Sequence, residues 1–432
     1  MMSGRSLRRS AAALLGLALA GLAWALWGFD AYYGAAARAA HATPVAAQAV
    51  PQGIEEGRYL ARVGNCIFCH TAPGGEPLAG GRAIETPFGT VYASNITPDP
   101  THGLGRWSRD DFWQALHLGT RPDGKPLVPA FPYTSYTHIS RKDADALWDF
   151  LQSQRPVAQP NLPHALPWPL GQPWALAVWR ALFFRPAAPQ AQTDTDALSR
   201  GRYLVEGLGH CQECHSPRNA LGGIPWGDRG KGGTMPGTPW WAPSLRDAQQ
   251  AGTTEAAQTA TLLQTGQAGG RFVTGPMAEI VLHGTQYLQD ADARAMAVYL
   301  QTLTQAPTTP APAPSPHPLA LDAPGRQIYE DQCAACHGAQ GQGRAGVYPA
   351  LAGNRAVVME PPHNAVLSVL HGGFAPSTAG QPRPFGMPPF MLTLSDTDLA
   401  QVLTYVRSAW GNAAAPVSRL QVQQLHGTQG RP

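Results

Sequence analysis

No methionine occurs between Met2 and Met235, no cysteine lies outside a Cys-x-x-Cys-His motif, and only 14% of the 432 residues carry charge. The two signs nearly cancel, with 31 Lys and Arg against 28 Asp and Glu, so there is no basic excess of the kind that draws nucleic acid. Gly-rich nucleotide loops are missing, and no catalytic triad or carboxylate pair stands out. What is abundant is turn chemistry: 47 glycines and 42 prolines imply long ordered loops around short helices. Such a length is too great for one hydrophobic core and suits two to four units, with three the working number. Small loop-rich units need a staple.

The N-terminus reads as an export or anchoring segment over residues 1–34. Arg5, Arg8 and Arg9 precede an apolar run from Ala11 to Trp27, which Asp30 closes. The run is just long enough to span a bilayer, and Trp24, Trp27, Tyr32 and Tyr33 stand in sequence where an interfacial aromatic belt would be. Small-residue cleavage sites stand at Ala36–Ala42, so a retained anchor and a cleaved signal are both open. Either way the remainder is exported, which places it at the periplasmic face of a bacterial cytoplasmic membrane.

A repeat follows, at a period suited to tandem domains. Gly57-Arg-Tyr-Leu60, Gly201-Arg-Tyr-Leu204 and Gly325-Arg-Gln-Ile-Tyr329 each open a unit with helical spacing. Asp143–Leu151, Asp290–Leu300 and Ser395–Val406 each close one with an amphipathic helix whose first turn is acidic. Ser140 and Ser395, each with Asp three residues on, have the pattern of capping boxes. The units run over 50–157, 199–305 and 319–412. A Pro- and Trp-rich connector fills 158–198, a stiff Pro-rich linker fills 306–318, and 413–432 is a C-terminal tail. Within the connector, Pro173–Phe184 has the pattern of a bridging helix packed between domains, or of an interfacial or partner-docking helix.

All six cysteines fall in Cys66-Ile-Phe-Cys69-His70, Cys211-Gln-Glu-Cys214-His215 and Cys333-Ala-Ala-Cys336-His337. Two thiols one turn apart reach the vinyl groups of a haem, while the next His offers its imidazole to the iron. A disulfide framework leaves the three histidines unexplained. A thioredoxin-like pair needs a βαβ setting, and a zinc site needs two Cys-x-x-Cys pairs close together. The expectation is three covalently bound haem c groups, with His70, His215 and His337 as proximal ligands. The fold that follows is mainly α: three tandem cytochrome c domains with long loops, strands confined to short hairpins, and a hydrophobic anchor or signal helix in front.

A cytochrome that only moves electrons closes its iron with Met or His, and Met raises the potential. Met277 follows His215 by 62 residues and Met387 follows His337 by 50, each just before a closing helix. Met391 competes with Met387, while Met235, Met296 and Met359 read as packing residues. The first unit has no Met at all. Its candidates are His138, nearest the matching point of the repeat, then His117 and His102; haem 1 is bis-histidine or five-coordinate.

Over about 50–412 the chain resembles the triple-haem cytochrome c subunits of membrane-bound bacterial dehydrogenases, the alcohol, gluconate and fructose dehydrogenase group. The resemblance rests on the three haem motifs, Asn95-Ile-Thr-Pro-Asp99, Gly103-Leu-Gly-Arg-Trp-Ser108, the run 129–136, Pro276-Met277-Ala-Glu and Gly386-Met-Pro-Pro-Phe390. It implies Met ligands at Met277 and Met387. Where the group has Pro-Ala-Met-Pro-Tyr, this chain has Phe131. It also implies a partner subunit that oxidises an alcohol, sugar or aldehyde, and ubiquinone or a terminal oxidase as acceptor. The expected role is thus electron transfer in the respiratory chain without substrate chemistry; a peroxidase or oxidase acting at an open haem 1 is the competing class, and a sensing or assembly protein a distant third.

Overall fold

The computed structural model describes residues 51–188, 196–246, 253–303 and 323–427. The expected anchor or signal at 1–34 and the linker at 306–318 lie outside these residues. Among the described residues no helix is long and apolar enough to cross a membrane.

The fold is mainly helical, and each repeat forms around a crossing of its opening and closing helices. Pro51–Val63 crosses Arg141–Gln152, Ala197–Arg202 crosses Asp290–Thr302, and Ala323–Gln332 crosses Asp396–Ser408. The glycine of each opening motif sits at the crossing. A Cβ on Gly57 would lie 1.9 Å from the Ala146 carbonyl oxygen, one on Gly201 2.0 Å from that of Ala295, and one on Gly325 2.4 Å from that of Gln401. No side chain fits, so the repeated Gly is a packing requirement that lets two backbones touch.

The second opening helix holds one residue more between its Tyr203 and Cys211 than separates Tyr59 from Cys66. Its backbone absorbs the insertion as a π-helical turn over Tyr203–Leu208. Strands are limited, as expected, to two-stranded antiparallel hairpins among the described residues; the longest pairs Ala83–Thr86 with Gly89–Tyr92, and another pairs Gly233–Thr234 with Trp241–Ala242.

The largest buried cluster joins the first two repeats, with Leu60, Leu147 and Phe150 packed in one body with Leu204, Leu208 and Met296. The third repeat has two clusters of its own. Two sequence expectations change here. Ser395 forms a complete capping box with Asp398, but at Ser140 only half a box forms, because the Asp143 carboxylate accepts a hydrogen bond from Tyr203 of the second repeat instead. The stretch 413–432, read as a tail, contains the helix Arg419–His426, whose Val422 and Leu425 are buried against the third repeat. An apolar face on that helix explains why it docks.

The connector is strapped across the first repeat. Asn95 donates to the carbonyls of Val157 and Gln159, and Thr90 and Ala165 exchange backbone hydrogen bonds. Its helix, Pro173–Phe183, buries Leu176 and Arg180 and bridges to the second repeat, where Trp179 donates to the Leu221 carbonyl. Trp174 and Leu182 remain 58% and 51% exposed on the same helix.

Candidate functional site

Each Cys-x-x-Cys-His motif is a single tight turn in which the His backbone N–H donates to the first Cys carbonyl, at 2.9 Å for His70, 3.0 Å for His215 and 2.9 Å for His337. Left-handed residues, Asn65 and His210, turn the chain into the first two motifs. The three imidazoles are then oriented in the same way. His70 Nδ1 bonds the Ser94 carbonyl at 2.7 Å, His215 Nδ1 that of Pro243 at 2.7 Å, and His337 Nδ1 that of Pro349 at 2.9 Å. A carbonyl only accepts, so each Nδ1 carries the proton and each Nε2 keeps its lone pair for a metal. Burial lowers the basicity of all three, which favours the neutral ligand form.

The thiols point the same way. Burial, and then the neighbouring thiol, push Cys66 and Cys211 up to about 12 and Cys333 up to about 11. Thioredoxin-like cysteines need the opposite shift, toward the thiolate. For Cys214 burial acts first, then Glu213, and the Cys69 thiol of the first motif adds to a rise to about 11. The first two Cys-x-x-Cys-His motifs are thus within electrostatic reach of each other.

They border one cavity of about 2270 Å³, lined by Cys66, Cys69 and His70 of the first repeat and by Cys214 and Trp240 of the second. Small-molecule pockets typically enclose about 300–1,000 Å³, so the space suits a group larger than a common ligand. Paired thiols, an oriented imidazole and an apolar wall together fit haem c. Within the second motif stands Glu213, whose carboxylate accepts from Thr134 Oγ1 at 2.6 Å, Ser135 Oγ at 3.0 Å and Arg218 at 2.7 Å. Burial raises its pKa, but Arg218 and these hydroxyls outweigh that and hold it below the usual glutamate value.

The sixth-ligand candidates separate. Met277 is half-buried at the start of the helix Pro276–His283, and Met387 lies in a hairpin strand, with Met391 packed against the same cluster. Phe131 lines the cavity, and His138 does not. His138 instead faces the second repeat, beside Gly207 and within electrostatic reach of Glu206 and Arg229. His117 stacks on Trp113 at 4.6 Å, also off the cavity wall, whereas His102 and Met235 line it. Met235, read as a packing residue, sits on the hairpin that leads to Pro243, the carbonyl partner of His215.

Sequence reading missed the three carbonyls and Glu213. A carbonyl has no residue-type signal, although each acceptor lies in the loop after its motif. Glu213 was visible inside the second motif, but two of its partners, Thr134 and Ser135, come from the first repeat.

A family model described as Cytochrome c matches residues 323–410, the third repeat. The chain is 37% identical over 396 residues to the cytochrome c subunit of the quinone alcohol dehydrogenase of Gluconacetobacter polyoxogenes, covering 87% of this chain and 84% of that one. It is 37% identical over 393 residues to the gluconate 2-dehydrogenase cytochrome c subunit of Pantoea cypripedii, covering 86% and 89%. Against the fructose dehydrogenase cytochrome subunit of Gluconobacter japonicus it is 34% identical over 428 residues, covering 90% and 85%. With relatives of this similarity along nearly its whole length, the chain belongs to the family of cytochrome c subunits of bacterial alcohol, gluconate and fructose dehydrogenases.

Proposed function

We propose that the chain binds three haem c groups, one in each of three cytochrome c domains at 50–157, 199–305 and 319–412, and conducts electrons from a catalytic dehydrogenase subunit to ubiquinone or a terminal oxidase. The attachment residues are Cys66 and Cys69, Cys211 and Cys214, and Cys333 and Cys336. His70, His215 and His337 take the proximal position, and Met277 and Met387 close the second and third irons. The partner oxidises an alcohol, sugar or aldehyde, and the work is done at the periplasmic face of the cytoplasmic membrane.

The observation that carries this reading is the threefold recurrence of one arrangement: two thiols on a turn and an imidazole whose Nδ1 is held by a loop carbonyl. Haem supplies reversible one-electron chemistry when bound; the protein's part is to hold the imidazoles, exclude water and set distances. The proximity of Cys69 to Cys214 supports direct transfer between the first two haems. Trp241 and Asn364, which exchange hydrogen bonds of 2.9 and 2.7 Å, bind the third repeat to the second and support a continuous path.

Haem-stained protein, counted by pyridine haemochrome and titrated potentiometrically with and without the partner subunit, tests this. Three haems, reduced by substrate only when the partner is present and reoxidised by a ubiquinone analogue or a terminal oxidase, are expected. A count below three, or substrate turnover by the cytochrome alone, would sink the proposal.

A further inference from the structure

The first repeat differs from the other two in what it offers ahead of its closing helix. The cavity wall between residues 127 and 151, which leads into the closing helix as the segments of Met277 and Met387 do, is formed by Val128, Phe131, Tyr136, Ile139, Leu147 and Leu151 among others. None of the cavity-lining residues in that span carries a side-chain nitrogen or sulfur. Its hydroxyl, on Tyr136, is committed to the Gly64 carbonyl at 3.0 Å.

The remaining donors do not replace it. His138 and His117 are off the wall. His164 Nδ1 accepts the Tyr92 backbone N–H at 3.2 Å, so its proton resides on Nε2, the nitrogen an iron would need. His102 belongs to the loop that continues from Ser94, and Met235 to the hairpin that leads to Pro243, the two segments whose carbonyls hold His70 and His215. His210 directly precedes Cys211 and packs edge-on against Tyr136 at 5.5 Å.

We infer that haem 1 is five-coordinate, and that the apolar wall around Phe131 is a binding site for a neutral diatomic ligand such as carbon monoxide or nitric oxide. The inference rests on the haem assignment proposed above. Binding forms one bond from ferrous iron to the ligand and breaks none. The span 127–151 offers the cavity no carboxylate and no imidazole, so it supplies neither the acid nor the base that O–O cleavage needs.

Carbon monoxide added to the dithionite-reduced full-length protein should shift the spectrum of about one haem in three, and the oxidised protein should show a high-spin electron paramagnetic resonance signal of the same share. Phe131→Met should remove the high-spin signal, weaken carbon monoxide uptake by at least about tenfold, and shift the reduction equilibrium of haem 1 upward about tenfold, which is about 59 mV for one electron. His138→Ala should leave the wild-type spectrum unchanged. Three haems that are all low-spin and refuse carbon monoxide overturn this inference alone, as does a high-spin signal that appears only in His138→Ala. Fewer than three haems by pyridine haemochrome overturns the assignment beneath it as well.

Discussion

The first two repeats hold each other, whereas the third holds itself. Tyr203 Oη donates to Asp143 Oδ2 at 2.6 Å and accepts the Ser140 backbone N–H at 3.2 Å; Tyr59 Oη donates to Asp292 Oδ2 at 2.5 Å and accepts that of Gln289 at 3.4 Å. Each closing helix thus has its first turn capped by the tyrosine of the other repeat. The exchange is reciprocal, like the isologous contact of a twofold dimer. In the third repeat Gln327 occupies the tyrosine's place and bonds Asp331 on its own helix, while Asp398 turns back to the Ser395 backbone N–H at 3.0 Å. The third repeat meets the second through hydrogen bonds to backbone, Ala350 N–H to the Gly270 carbonyl at 3.2 Å and Thr378 to that of Thr265 at 3.2 Å, and through Trp240, which packs against its core. When a neighbour completes the helix cap, folding and assembly become one event; when the chain caps itself, they separate.

The harshest test of this contrast is Gly201→Val. Its side chain would enter the backbone of the closing helix, where even a Cβ lies 2.0 Å from the Ala295 carbonyl oxygen. A cost of about 3 kcal/mol or more is expected. Because the core is shared, the first repeat should melt with the second in calorimetry. Gly325→Val, at the matching place, should unfold the third repeat and leave the pair's transition in place. A single transition in both variants would refute the division.

Tyr203→Phe comes next. It leaves the Asp143 carboxylate, in a residue 4% exposed, without its tyrosine donor, at about 2–3 kcal/mol. Tyr59→Phe should cost only about 1 kcal/mol, because Asp292 is also gripped by Arg200 at 2.9 and 2.8 Å. Arg200 adds only its charge near Asp143, its hydrogen bonds going to Asp292, and Glu56 stands at the matching place in the first repeat. Equal losses in denaturant titrations would show that the arginine adds nothing.

Asp292 also sets an acid limit. Burial raises its pKa, but Arg200 and Tyr59 together lower it further than that, below the ordinary aspartate value. A depressed folded value stabilises the pair above about pH 4, and the gain disappears as pH falls through that depressed value. Asp292→Asn should therefore flatten the acid limb of a melting temperature against pH plot, and the limb should stay unchanged in Ser395→Ala.

Much of this was legible. The opening glycines, the three motifs and the closing helices could all be read from spacing, because each depends on local periodicity or on a backbone that tolerates nothing larger than hydrogen. The tyrosines of the Gly-Arg-Tyr-Leu motifs were also in view, and their absence from the third opening was the only hint of pairing. Their function was not legible, since it depends on Asp143 and Asp292, 60 and 233 residues away. The same limit explains His138: sequence offset placed it near a haem, but the helix start it precedes turns it toward Gly207 of the second repeat. The helix Arg419–His426 was hidden by its low hydrophobicity, although Ser418 and Gln421 spell a capping box.

The smallest expected effect isolates the self-capped repeat. Ser395 Oγ accepts the Asp398 backbone N–H at 3.2 Å, and the Asp398 carboxylate accepts both the backbone N–H and the hydroxyl of Ser395, at 3.0 and 2.7 Å. Ser395→Ala removes the hydroxyl, which both accepts and donates, and leaves the carboxylate to the remaining N–H. The group is exposed, so water replaces part of what is lost, and about 1 kcal/mol is the expected cost. It should lower the melting of the third repeat by a few degrees without moving the pair. Ser140→Ala is the matched control in the pair: there the Asp143 carboxylate stays with Tyr203, and what is lost is the bond from the Asp143 N–H to Ser140 Oγ at 3.1 Å and the hydroxyl's own contact with Tyr203. If Ser140→Ala lowers the melting of the first repeat alone, so that the two repeats of the pair respond independently, the caps are local after all and the reciprocal tyrosines do not couple folding to assembly.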